Sequence, residues 1–219
     1  MFIHSNIITP IEFTSTDTPT GRFYVTPTGD RYPSITTVLG SKDKPWLNDW
    51  RESIGPKQAD KETKRASDRG TAVHLMLERQ LQNDLNITRD QEPTHIAEFN
   101  SLRLYMKKLN NIVLQEAALY SDILKVAGRV DCIAEYNGVL SVVDFKTATR
   151  DKNPEMIQDY YKQASFYALA FQEMYDIQID NIVILMSVER GFPLIFHERV
   201  ENWIEPLVST VNTYHNKKQ

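Results

Sequence analysis

The segment Gly128–Arg150, GRVDCIAEYNGVLSVVDFKTATR, has two apolar runs on either side of the dipeptide Asn137-Gly138. This arrangement predicts a β-hairpin, because a type I′ turn needs positive φ at both central residues and Asn-Gly tolerates it. With the turn there, the strand register places Asp131 directly opposite Asp144. Facing side chains of antiparallel strands have Cβ atoms about 4.5–5.5 Å apart, so these two carboxylates would repel each other.

A divalent cation held between Asp131 and Asp144 would remove that repulsion. Lys146 follows Asp144 by two residues and therefore points to the same face, where this register pairs it with Arg129. A lone Asp-x-Lys triplet is most often a salt bridge at a strand end, with the other aspartate in solvent. The apolar flanks and the opposed aspartates favour a metal site instead.

Composition indicates one ordinary globular domain. The chain has 219 residues, of which 41% are hydrophobic and 25% charged, and its net charge of −4 neither indicates nor excludes a nucleic-acid binder. The single cysteine, Cys132, excludes an internal disulfide and a cysteine-ligated zinc or iron–sulfur site, and it favours an intracellular, reducing compartment. We expect no secretory signal, because the N-terminus lacks a basic region followed by an apolar run, and no membrane-spanning segment.

Outside the hairpin, residue patterns predict a mixed α/β core preceded by a helical part. A small hairpin turning at Thr28–Asp30 should lead into a short helix capped by Ser34. Helices are predicted at about 57–83 and 94–110, strands at about 112–120, 125–136 and 139–146, a helix starting at the N-cap Asn153, strands at 181–189 and 193–200, and a last helix from near Asn202. We expect a single domain over residues 1–219, with a hairpin and helical part at 1–110 and the α/β core at 111–219.

Four short motifs, in their order along the chain, resemble those of the RecB-type branch of the PD-(D/E)XK nucleases. RGTAVH, with Gly70 and His74, resembles the G-x-x-x-H motif of that branch. GRVD and VVDFKT resemble motifs II and III, and QASFY, with Gln163 and Tyr167, resembles the Q-x-x-x-Y motif. Further upstream, YPSITTVLG resembles an N-terminal stretch of the mitochondrial genome maintenance exonucleases and their phage relatives.

The resemblance implies a mixed central sheet flanked by helices and a site that hydrolyses DNA with Mg²⁺ or Mn²⁺. The implied metal ligands are His74, Asp131, Asp144 and the backbone carbonyl of Phe145. Lys146 would position the attacking water and stabilise charge on the phosphate. Gln163 and Tyr167, which share one helix face, would border the site and position the nucleic acid or Lys146. Asp144 stands where many members of the family have glutamate, which shortens the ligand arm.

The function implied is an exonuclease that acts from free ends, prefers single-stranded DNA, and has DNA rather than a membrane as its partner. A phage protein of this kind would work in the host cytoplasm, and an organelle is equally compatible. Two alternatives remain open: a flap or junction endonuclease on the same core, and a non-catalytic nucleic-acid-binding protein with a nuclease fold. The second normally lacks an acid or the lysine, and here both are present.

Two further sets of charged residues have competing interpretations. Glu116 is a weaker site candidate, because a turn at residues 121–124 would place it opposite Arg129 as a salt-bridge partner. A basic stripe on the predicted helix could follow a phosphate backbone, although the interspersed acids equally predict ion pairs within a solvated helix. The stripe consists of Lys57, Lys61, Lys64, Arg65 and Arg69.

Overall fold

The computed structural model describes residues 1–217, which form two sheets and six α-helices. The first sheet has strands β1 (Thr14–Thr18), β2 (Gly21–Val25) and β3 (Arg31–Pro33); it is followed by helices α1 (Ile35–Gly40), α2 (Pro45–Ile54), α3 (Pro56–Leu81) and α4 (Pro93–Met106). The second part contains β4 (Leu109–Ser121), β5 (Val126–Tyr136), β6 (Val139–Ala148), a 3₁₀ helix (Pro154–Ile157), α5 (Gln158–Tyr175), β7 (Asn181–Val188), β8 (Leu194–Arg199) and α6 (Glu201–Asn216).

The five strands β4 to β8 form one mixed sheet in chain order, antiparallel except for the parallel pair β6–β7. Helices α1, α5 and α6 contribute to the hydrophobic core on one face, and α3 and α4 contribute to a second core on the other. Strand β7 supplies Ile182 and Ile184 to the first core and Val183 and Leu185 to the second. The predicted fold, a mixed sheet flanked by helices with a helical N-terminal part, is confirmed.

The hairpin of β5 and β6 has the predicted turn. Asn137 and Gly138 have φ angles of 51° and 81°, as a type I′ turn requires. The predicted register holds from the pair Tyr136–Val139 as far as the pair Cys132–Val143. It stops one pair before the two aspartates, so β5 and β6 separate where the site begins.

Beyond this point β6 continues along β7 alone, with Lys146 beside Met186 in the parallel ladder. The predicted pairing of Lys146 with Arg129 is therefore wrong, because Arg129 instead pairs with Ala118 on β4. The end of the antiparallel ladder leaves an opening between β5 and β6.

The β4–β5 hairpin also differs from its prediction. Ser121 pairs with Val126, so the connecting turn occupies residues 122–125 rather than 121–124. The register is irregular between Asn110 and Leu114, which shifts the rest of β4 along its partner. In the shifted register the flanking pairs Gln115–Cys132 and Ala117–Val130 set Glu116 across from Asp131 and not from Arg129.

The predicted helices are present with small differences at their ends. The Ser34 side chain caps α1 by accepting from the Thr37 N–H. Asn153 caps the predicted later helix by accepting from the Met156 N–H, but the first turn is 3₁₀ and α5 starts at Gln158. Strand β1 was not predicted. Across residues 1–217, we find no helix with the length and apolar character needed to cross a membrane.

Candidate active site

Helix α3 carries His74 across the opening between β5 and β6. Its buried Val73 and Leu77 pack against the sheet, and Gln115 Nε2 of β4 donates a 2.8 Å hydrogen bond to the Glu78 carbonyl one turn beyond the histidine. These contacts fix the helix, and they leave His74 Nδ1 3.9 Å from Asp131 Oδ2.

Asp131 holds the separated strands together through its side chain. Its Oδ2 accepts a 2.8 Å hydrogen bond from the backbone N–H of Phe145 on β6. The carboxylate thus replaces a strand partner for that N–H and is fixed in the opening.

Glu116 reaches the same opening because the backbone of β4 is irregular at this residue. Its φ is 47°, unusual for a residue other than glycine. Arg129 Nε donates a 2.7 Å hydrogen bond to the Glu116 carbonyl and lies 3.7 Å from Oε2, so the predicted salt bridge with Arg129 is present even though the two residues do not face each other. Such a local irregularity redirects a side chain, here toward β5.

His74, Glu116 and Asp131 each offer one ligand atom, and these three atoms lie within 4.8 Å of one another. Sequence reasoning treated Glu116 as a weaker site candidate and a salt-bridge partner of Arg129, and did not include it among the expected metal ligands. The signal that could have found it is an acid in the middle of the mostly apolar strand segment from Val113 to Leu119.

Asp144 and Lys146 form a buried pair beside this cluster. Asp144 is 1% exposed, and Lys146 Nζ lies 2.5 Å from its Oδ2 without the alignment of a hydrogen bond. Among residues 1–217, neither Asp144 oxygen accepts a hydrogen bond. The ring of Tyr160 on α5 lies 5.1 Å from the same Nζ, within the range of a cation–π contact. Tyr160 was not predicted as a site residue.

Burial raises the pKa of Asp144 to about 6, and the Lys146 charge opposes this shift. Burial alone would lower the pKa of Lys146, but the carboxylates of Asp144 and Asp131 outweigh it and raise the value. Both groups are therefore charged at pH 8. Asp144 lies outside the three-residue cluster, which contains Glu116 instead. The cluster thus differs from the expected ligand set by including Glu116.

The donor set fits a divalent cation. Burial, and after it the nearby negative charge of Asp131, raises the pKa of Glu116 to about 7, and a bound cation would offset both effects. Asp144 Oδ2 is paired with Lys146 Nζ, and Asp144 Oδ1 accepts no hydrogen bond within residues 1–217. Carboxylate oxygens with one imidazole nitrogen suit Mg²⁺ or, better, Mn²⁺.

We expect Glu116→Gln to stabilise the metal-free protein at pH 8. Glu116 has a raised pKa of about 7 in the folded state against 4.5 for an unperturbed glutamate, so the unfolded chain loses its proton first and stability falls as pH rises through this interval. The gain at pH 8 should be about 1–3 kcal/mol after allowing for partial exposure, with little difference near pH 4. Urea unfolding in EDTA across this pH range measures it. Parallel pH profiles for the two proteins would contradict the assignment.

Gln163 and Tyr167 contact each other, and the Tyr167 ring lies against Gly128 of strand β5. Gln163 Nε2 lies 3.1 Å from the Tyr167 hydroxyl oxygen, and Tyr167 is only 2% exposed. A Cβ added to Gly128 would lie 2.8 Å from the Tyr167 ring, so the glycine of the GRVD motif allows this close approach. The Tyr167 ring is buried behind the strand that carries Asp131, and its expected role in positioning the nucleic acid or Lys146 stays a prediction.

The basic stripe does not form a continuous phosphate-binding surface. Arg69 is 3% exposed and forms ion pairs with Glu189 and, at 3.7 Å, with Glu98, so its assignment to nucleic-acid binding is wrong. Arg65 bonds to Glu62 and Glu189, and Lys64 to Asp68. Lys57 and Lys61 are exposed, but helical geometry turns them roughly 100–140° away from His74.

Comparison with known proteins agrees with this geometry. A family model described as the PD-(D/E)XK nuclease superfamily matches residues 97–188, which include β4, β5 and β6. The mouse protein Mitochondrial genome maintenance exonuclease 1 (Mus musculus) is 26% identical over 174 residues, covering 74% of this chain and 51% of its own. Its counterpart from Xenopus tropicalis is 24% identical over 182 residues, covering 75% and 51%. The chain thus spans about half the length of these relatives.

A solved structure from Eubacterium rectale aligns with a TM-score of 0.49 and 9% identity over 68% of this chain and 65% of that chain, a distant likeness. The family model covers the strands that bring Glu116, Asp131, Asp144 and Lys146 together. His74 lies upstream of it, within the part of the chain that precedes residue 97. The chain is therefore similar to the PD-(D/E)XK nuclease superfamily over residues 97–188.

Proposed function

We propose that this chain is a divalent-metal-dependent deoxyribonuclease that removes nucleotides from free ends and prefers single-stranded DNA. The observation that carries the proposal is the group of ligand atoms from His74, Glu116 and Asp131 beside the buried pair of Asp144 and Lys146. An ion-binding cluster next to a lysine held by a carboxylate provides what phosphodiester hydrolysis needs: a metal site and a positive group for the phosphate.

His74, Glu116 and Asp131 would hold Mg²⁺ or Mn²⁺, with Asp144 and the carbonyl of Phe145 as further candidate ligands. When bound, the ion supplies Lewis-acid polarisation of the phosphate and a water of lowered pKa. The hydrogen bond from Phe145 N–H to Asp131 keeps that carboxylate in one orientation, so the ligand cluster is organised in advance.

Lys146 would donate to a phosphate oxygen on which charge develops. The charge of Asp144 keeps Lys146 protonated, and the face of Tyr160 restricts where the ammonium group lies. Gln163 and Tyr167 would act at a distance, because they support the segment of β5 that begins at Gly128 and carries Asp131.

The names of the relatives support exonuclease action. Substrates with and without free ends test it. Linear and covalently closed circular single strands of the same sequence, together with a linear duplex, should be incubated with the protein and Mg²⁺ or Mn²⁺. We expect the linear single strand to be degraded fastest and the circle to persist, with no cleavage in EDTA. Asp131→Asn, purified in parallel, controls for contaminating nucleases.

The two alternatives predict different products. Nicking of the circle at a rate comparable to loss of the linear strand would establish an endonuclease. Binding of DNA without cleavage at any metal concentration would establish a non-catalytic nucleic-acid-binding protein.

A further inference from the structure

Helix α2 has an apolar face that the described chain leaves uncovered. Trp46, Leu47, Trp50 and Ile54 recur at helical spacing along one side, yet α2 has no buried residue. Trp46 is 64% exposed. The helix is attached to α3 by the exposed ion pair of Arg51 and Asp60 at 2.6 Å, which positions it without covering its apolar face.

This face lines an open groove. Its lining also includes Thr63 and Ala66 of α3 and residues that follow β6, among them Arg150 and Lys152. The groove encloses about 880 Å³. Ligand sites in proteins commonly enclose roughly 300–1,000 Å³, so the groove has room for one or more nucleotides.

The groove shares its supporting elements with the candidate active site. Strand β6, which carries Asp144 and Lys146, runs directly into the segment that contributes Arg150 and Lys152 to the groove. On α3, Ala66 and Thr63 precede His74 by two and three helical turns, about 12 and 17 Å along the axis at 1.5 Å per residue. A strand with its end in the site could therefore extend into the groove within a few nucleotides.

The charge of the groove favours a polyanion. Arg150 and Lys152 line it, and within residues 1–217 neither forms an ion pair. Glu62, which also lines it, is paired with Arg65. The groove is lined by one exposed indole ring, Trp46, and one half-buried indole ring, Trp50. A positive groove with indole rings has the two features by which proteins hold single strands, namely charge for the phosphates and aromatic faces for the bases.

We propose that single-stranded DNA binds in this groove, with its bases stacked on Trp46 and Trp50 and its phosphates near Arg150 and Lys152. A duplex has no free base faces to offer, so the groove selects unpaired DNA. This inference rests on the proposed function, because it takes DNA as the substrate, and it names the part of the protein that recognises the unpaired strand.

Binding in EDTA tests the groove without cleavage. The affinity for a fluorescein-labelled 20-nucleotide oligo-dT is measured by anisotropy for the parent chain and for the double variant Trp46→Ala/Trp50→Ala. Base stacking on aromatic residues predicts at least about fivefold weaker binding by the double variant. Ile123→Ala removes an apolar side chain that is 82% exposed in the β4–β5 turn, and we expect it to bind like the parent.

An oligonucleotide of the same length with abasic residues separates stacking from charge. The parent should prefer oligo-dT over the abasic strand, and the double variant should lose this preference. If the double variant unfolds, the comparison is made on the parent alone, where tryptophan fluorescence should be quenched by oligo-dT and not by the abasic strand.

Unchanged oligo-dT affinity in a folded double variant would overturn the proposal. A parent dimer that the double variant converts to monomer, with DNA binding unaltered, would show that a second copy covers the groove instead. The binding measurement is independent of catalysis. Base-dependent binding without hydrolysis would refute only the nuclease function. Hydrolysis with unaltered binding by the double variant would refute only the proposed role of the groove.

Discussion

Asp131→Asn should abolish hydrolysis and leave the fold intact. Asparagine retains an oxygen that can accept from the Phe145 N–H, but it lacks the negative charge that a divalent ion needs. A catalytic ion stabilises the transition state by several kcal/mol. We therefore expect the single-turnover rate at saturating metal to fall by at least about 10³-fold. Quenched-flow or gel assays on end-labelled single strands measure it.

Asp131→Ala is the matched variant that separates the two roles of this residue. It should be as inactive as Asp131→Asn, but it also leaves the buried Phe145 N–H without an acceptor, which costs roughly 1–3 kcal/mol. Urea unfolding of the two variants at one pH gives a direct comparison, because neither variant carries the Asp131 charge. Equal stability of the two variants would contradict the bridging role, and substantial activity in Asp131→Asn would contradict the metal site.

Lys146→Ala should slow hydrolysis by about 10²–10⁴-fold while changing DNA affinity by no more than about threefold. The lysine is one charge at the reacting phosphate, whereas affinity is spread over many contacts with the strand. Single-turnover rates give the first quantity, and anisotropy in EDTA gives the second. A large loss of affinity with a preserved rate would show that Lys146 only anchors the DNA.

The stability of Lys146→Ala carries additional information, because the substitution leaves the buried Asp144 carboxylate without its partner. Without the Lys146 charge, which lowers the pKa of Asp144, this pKa should rise further above its ordinary value. The variant should be destabilised at pH 8 and approach the parent as pH falls and Asp144 becomes protonated. The double variant Lys146→Ala/Asp144→Asn should recover stability at pH 8 and remain inactive. Recovery of both would mean that the lysine acts only through the fold.

The parts of the fold that could be predicted from the sequence depend on local signals. The Asn137-Gly138 turn needs only its own two residues to select type I′ geometry, and the adjacent register follows from it. The caps Ser34 and Asn153 are likewise set by side chains that bond within three residues. The motif order also predicted that His74 lies near Asp131, and their side chains are 3.9 Å apart.

The departures come from interactions between distant segments. The end of the β5–β6 ladder depends on where β7 joins β6, and the position of Glu116 depends on an irregularity within β4. Arg69 looked like a surface cation because its partner Glu189 is 120 residues away in the chain. A local sequence pattern can assign such residues to a helix or a strand, but it does not identify partners that are distant in the chain.

The central claim is that His74, Glu116 and Asp131 form one metal site, and its position can be measured directly. Crystals of the protein soaked in Mn²⁺ should give an anomalous difference peak among these three side chains, next to Asp144, and Glu116→Gln should weaken or remove it. A Mn²⁺ peak elsewhere, or none among these residues at millimolar Mn²⁺, would contradict the account.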